Sequence, residues 1–288
     1  MTFDQAVLIW CVCIPAVVTA GIFVALRWIG PSSSRSEANR VQVLLLAVGW
    51  WLAITVSISA RNAWQLWPSD YWQHAVWPLL GWCIYAAVCF GADRRSFRWI
   101  LAAILSAIMA YVCLPRGEAW EDTYRLHGLI GISLTTCLLI NVWALHEMAM
   151  RRAERWVMLV ALASLGGPIA LAASTYASLS EWGIAMASAT AAIAVVGLAS
   201  PTGLAAAVTP PVLAGGTAVI AAGRFQTYED HPIWLYATML LLPTIISAVD
   251  SIVSSRPTWL RVGVSAFFAT IAIAVSVWFL LIRETESW

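Results

Sequence analysis

Long apolar runs, cut by short polar links, fill this chain from end to end. The stretch poorest in charge extends from Val157 to Gly223, between Arg155 and Arg224, and holds one charged residue, Glu181. A soluble domain has no surface that covers such a run, whereas about 20 apolar residues cross the hydrocarbon layer of a bilayer as a helix. On that measure the pattern predicts ten helices, at 6–29, 41–59, 75–91, 99–114, 128–150, 156–178, 183–200, 201–223, 232–253 and 262–282. The boundary at Ala199–Thr202 carries no charge, while Ser180-Glu181-Trp182 reads as a short turn. No polar link is long enough for a soluble domain, so the whole of 1–288 reads as a single transmembrane domain.

Arginine orients the helices, because positive links stay in the cytoplasm. Links one, three, five, seven and nine hold eleven arginines, whereas links two, four, six and eight hold Arg61, Arg116, Arg125 and Arg224. Both termini are therefore expected outside, in a bacterial cytoplasmic (inner) membrane. The sequence begins MTFDQ and lacks a positive n-region, so no cleaved signal peptide is expected. The outer links are aromatic and acidic, and Trp64, Trp67, Trp72 and Trp77 fit an interfacial belt. Stacking on a sugar, a quinone or a lipid head is their alternative use.

Composition supports the class and narrows the chemistry. The chain is 61% hydrophobic and 11% charged, against about 25% charged in soluble domains. Its net charge of +1 gives no basic face for nucleic acid. All 16 basic residues are arginine, so a retinal Schiff base, a P-loop lysine and a lysine general base are excluded. The six cysteines fall in apolar runs without C-x-x-C spacing and read as buried small hydrophobes. No G-x-S-x-G, H-E-x-x-H or paired aspartate-rich motif is present, and no enzymatic class or cofactor follows from the sequence.

Helix breakers at predicted mid-depth are the strongest functional pattern. Pro15 lies near the middle of 6–29, Gly166-Gly167-Pro168 in 156–178, Pro210-Pro211 and Gly215-Gly216 in 201–223, and Pro243 in 232–253. A proline frees the carbonyl four residues back, which in lipid must find a partner or line a cavity. Carriers bind solutes at such broken helices, although Gly and Pro also serve packing alone. Ten spans divide as five plus five with the second half inverted. Pro15 would then answer Pro168, and Pro78 with Gly81 would answer Pro210-Pro211.

Other polar residues are sparse. Asn141 is the deepest amide and is placed to hydrogen-bond across helices. His146-Glu147 and Asp250 lie near predicted cytoplasmic ends, where snorkelling or pairing with Arg151 and Arg256 is expected. His74, His127 and His231 share the predicted outer side with acidic neighbours, a set able to hold a metal or, paired across helices, a haem. Their spacing matches no metal motif. The small residues of Ala185–Ala207 predict close packing of helices six to eight, within the chain, in a homo-oligomer or against a partner subunit.

The expectation is an all-α polytopic integral membrane protein of about ten transmembrane helices, its partner the lipid bilayer and not nucleic acid. It is read first as a small-solute carrier with its site around Pro15, Gly166, Gly167, Pro168, Pro210, Pro211 and Asn141. A non-catalytic anchoring subunit of a larger membrane complex is the alternative, and a redox or metal protein using the histidines is the third.

Overall fold

The computed structural model describes residues 3–29, 40–61, 70–89, 95–150, 160–161, 165–173, 176–199, 204, 208–226 and 232–286. Regular structure among them is entirely helical. The helices are α1 (Phe3–Val7), α2 (Ile14–Ile29), α3 (Arg40–Ala60), α4 (Val76–Cys89), α5 (Arg95–Cys113) and α6 (Tyr124–Met150). They continue with α7 (Gly166–Ala173), α8 (Ala177–Ala199), α9 (Thr209–Gln226), α10 (Ile233–Ile252) and α11 (Thr258–Glu286). Among the described residues seven segments are long and apolar enough to cross a membrane: Asp4–Trp28, Arg40–Ala60, Ser96–Cys113, Tyr124–Met148, Ser178–Gly197, Ile233–Ile252 and Thr258–Val275. α4 has 14 residues and α7 has 8, while α9 includes two prolines, three glycines, Arg224 and Gln226. The chain is thus a helical protein of membrane type.

α9 is the axis of the packing. Every residue from Pro211 to Gly223 is buried. It touches α4, α5, α6, α7, α8, α10 and the 3-10 turn Tyr71–Ala75. Its Ala, Gly, Val and Thr side chains are short, which lets that many neighbours approach one backbone. At Gly215 a Cβ would stand 2.6 Å from Met186 Cε and 3.5 Å from Leu79 Cδ1, so α8 and α4 close on α9 there. On the other flank of the chain, α11 leaves Trp259, Phe267 and Trp278 more than half exposed. An apolar wall of that kind suits lipid rather than water.

The helices run alternately between two faces. Arg61, the 3-10 turn Tyr71–Ala75, the start of α8 and the end of α9 meet on one, here the Arg61 face. The end of α10 and the start of α11 meet on the other, here the Asp250 face. Between α1 and α2 the backbone opens into a π-helical turn, Leu8–Cys13, in which the Ile14 N–H donates to Ile9 O, five residues back. Pro15 follows at once. The wider turn relieves the clash between a proline ring and the carbonyl four residues earlier.

Candidate functional site

The Arg61 face draws polar side chains from the most distant parts of the chain. Arg61, just past the end of α3, donates through Nε (3.2 Å) and Nη2 (2.9 Å) to Oε1 of Glu181. Glu181 belongs to the first turns of α8, so the expected turn at Ser180-Glu181-Trp182 is helix instead. Beside this pair Trp72 stacks at a tilt on Trp182, with ring centroids 5.6 Å apart, and meets the edge of Tyr176 at 6.1 Å. The Tyr176 hydroxyl donates to Asp70 Oδ2 at 3.3 Å. Gln226 Nε2, at the end of α9, donates to the Tyr71 hydroxyl at 3.3 Å. Burial pushes the Tyr71 phenol well above its usual range, so it stays protonated there. Trp72 is buried, not lipid-facing as an interfacial belt requires, while Trp77 is exposed. Trp64 and Trp67 lie outside the described residues.

The helix breakers do not converge at one depth. Pro15 lies just after the π-helical turn Leu8–Cys13, near the middle of the apolar segment Asp4–Trp28. Gly166 opens α7, and Gly167 and Pro168 sit in its first turn, so they begin a helix rather than kink one. The eight residues of α7 put Gly166 about 12 Å below the level of Tyr176. Pro210 and Pro211 likewise occupy the first turn of α9, where a missing N–H costs no helical bond. Sixteen residues of α9 separate Pro210 from Gln226, which places it about 24 Å below the Arg61 face. The mid-span position expected for these prolines belongs instead to Gly215-Gly216. At Gly216 a Cβ would meet Leu165 Cδ1 at 3.6 Å and Ile169 Cδ1 at 3.8 Å, so the break before α7 is level with it.

Asn141 lies apart from these breakers, in a bridge to α10. Its Oδ1 accepts from the Thr244 hydroxyl at 2.7 Å and from the Thr244 N–H at 3.2 Å. Its Nδ2 donates to Leu240 O. Leu240 O and Thr244 N–H are the acceptor and donor of one ordinary helical rung. The carboxamide thus reaches across that rung, next to Pro243, which lies inside α10. All the polar capacity of the Asn141 side chain seen here is spent on α10, and its role in the structure is to join α6 to a proline-interrupted helix.

On the Asp250 face the expected partner is replaced. Asp250 pairs with Arg261 rather than Arg256, through Oδ1 to Nε (2.8 Å) and Oδ2 to Nη2 (2.5 Å). Arg256 is exposed in the link, while Arg261, one turn into α11, points back at the end of α10. His146 meets Arg98 of α5, with Nη1 to Nε2 at 3.0 Å. An arginine only donates, so this His146 nitrogen is the acceptor.

Of the three histidines, His74 is half-buried in the turn Tyr71–Ala75 and His127 is half-buried in the first turn of α6, edge-on to Tyr124. His231 lies outside the described residues. Among the described residues no three of His, Cys, Asp and Glu gather as a metal set would. The tie between Arg61 and Glu181 escaped the sequence reading, although the one charge in Val157–Gly223 was its signal. No family model, no curated protein and no solved structure matches this chain.

Proposed function

We propose that this protein is a small-solute carrier of a bacterial cytoplasmic membrane, with the Arg61 face outward and about ten passes in a five-plus-five arrangement. The observation that carries the reading is the start of α7 at Gly166, halfway down the helices and level with Gly215-Gly216 of the central helix. A helix that begins at that depth leaves its first N–H groups without helical partners, and membrane carriers use such ends to bind solutes. The Arg61–Glu181 pair over Trp72 and Trp182 then acts as the outer closure above the site. Purified protein in liposomes is expected to move a small solute, and Gly166→Leu is expected to abolish that flux while the protein stays folded. Absence of flux across a panel of sugars, amino acids and polyols removes the reading.

A second reading, an anchoring subunit of a larger membrane complex, is favoured by the apolar filling around Gly215 and Gly216, where Leu79, Met186, Leu165 and Ile169 close in. Co-purification of a stoichiometric partner in mild detergent, with no flux by the chain alone, is its expected outcome.

A further inference from the structure

The Asp250 face also holds a cluster that a solute site at Gly166 leaves unused. α3 begins on this face at Arg40, α4 ends there at Cys89, α5 begins at Arg95 and α6 ends at Met150. Arg98 lies at the start of α5 and is half-buried. Its Nη1 meets His146 Nε2 at 3.0 Å, and no other side-chain bond or ion pair engages it among the described residues. On α4 the Tyr85 hydroxyl and the Cys89 thiol share a hydrogen bond, and the charge of Arg98 bears on both. The charge of Arg40 bears on Cys89 as well. Tyr85 and Cys89 are buried, and the Tyr85 ring stands edge-on to Trp82 with centroids 5.0 Å apart.

Arg98 differs in this from other arginines that pack into the fold. Arg61 and Arg261 each meet a carboxylate, and Arg224 lies over the Tyr236 ring. The neighbours of Arg98 are a phenol, a thiol and an accepting imidazole nitrogen, none of them an anion at neutral pH. Glu147 adjoins His146, yet among the described residues no ion pair joins it to Arg98. His146 engages Nη1 alone, which leaves the Nε and Nη2 edge of the guanidinium to fork onto two oxygens of one anion.

The surroundings name that anion. At Gly81 a Cβ would stand 3.1 Å from Leu105 Cδ2, so α4 and α5 meet along a seam there. Tyr85 is one turn from Gly81 on α4 and Arg98 two turns from Leu105 on α5, each on the helix face that makes this contact. Gly81, Leu101 and Leu105 are half-buried, and Ile84, Val88 and Ile100 beside them are exposed, so the seam borders lipid. The stretches 93–98 and 146–155 hold six arginines against three acids. A basic pocket between membrane helices at an interface is the setting in which anionic headgroups bind.

We infer that Arg98, held in place by His146, binds the phosphate of an anionic phospholipid whose acyl chain lies along the seam between α4 and α5. The Tyr85 hydroxyl donates to the same phosphate in place of the weakly accepting Cys89 thiol. The inference goes beyond the carrier reading and does not depend on it, since an anchoring subunit would hold the lipid in the same way.

The full chain, stripped of lipid in detergent, is titrated with dioleoylphosphatidylglycerol or dioleoylphosphatidylcholine, and bound lipid is read by native mass spectrometry. Phosphatidylglycerol is expected to bind about tenfold more tightly than phosphatidylcholine, the worth of one charge-assisted hydrogen bond. Arg98→Gln is expected to remove that preference, while Arg256→Gln, at an exposed arginine of the same face, keeps it. Where Arg98→Gln fails to fold, the preference of the unaltered chain and its reduction in Tyr85→Phe decide. Equal binding of the two lipids to the unaltered chain overturns the site. Equal loss of preference in Arg98→Gln and Arg256→Gln overturns it too, as a diffuse attraction to the whole face. Displacement of the lipid by millimolar inorganic phosphate overturns the lipid as occupant and puts a soluble anion in its place.

Discussion

Two ion pairs, one at each face, use the same chemistry for different ends. Asp250 and Arg261 are eleven residues apart and meet through two bonds, with side chains 3% and 7% exposed. They lock the hairpin between α10 and α11. Glu181 and Arg61 are 120 residues apart and meet through a single carboxylate oxygen, with side chains 9% and 18% exposed. They tie the end of α3 to the start of α8 at the Arg61 face. The first pair is a local clasp in a dry environment, where each partner depends on the other. The second is wetter and held by one oxygen, the arrangement suited to a contact that opens and recloses.

The comparison breaks most visibly at the clasp. Asp250→Leu removes both bonds of this carboxylate to the buried Arg261 and is expected to cost about 3–5 kcal/mol, seen as lost monodisperse protein in detergent. The double replacement Asp250→Leu with Arg261→Leu is expected to recover most of that loss. Equal damage from single and double changes shows that the two residues act independently. At the Arg61 face, Glu181→Gln is expected to cost about 2 kcal/mol, since a bond to a charged group is lost at a partly exposed site. Thermal unfolding in detergent reads the difference. A drop as large as that of Asp250→Leu removes the contrast between clasp and tie. The smallest effect is expected at the bridge to α10. Asn141→Leu removes the cross-helix bonds to Leu240 and Thr244, and hydrogen bonds of this kind in membranes average about 0.6 and reach about 1.7 kcal/mol. A larger loss means that Pro243 leaves α10 dependent on Asn141 for its fold.

Membrane character, the cross-helix use of Asn141 and the placement of Pro243 inside a helix were all legible in the residues. The depth of Pro210 was not. Pro15 lies near the middle of the continuous segment Asp4–Trp28, at its π-helical turn, whereas Pro210 stands in the first turn of α9, where proline is best tolerated because no N–H is needed. The partner of Asp250 was misread for a geometric reason. Arg256 is nearer in sequence but lies in the link, whereas Arg261 has completed the turn of chain that aims it back. Nothing in the spacing of Arg61 and Glu181 could announce a contact formed only when separate helices assemble.

Hydropathy alone determined that this chain folds as apolar helices, because the deficit of charge leaves no soluble alternative. Which helix lies at the centre and which faces outward was decided only by assembly. In water a buried face is marked by apolar residues against polar ones, but in lipid both faces are apolar and that contrast vanishes. α9 is central because its short side chains let seven neighbours close on it, and α11 is peripheral because its exposed Trp and Phe residues do not.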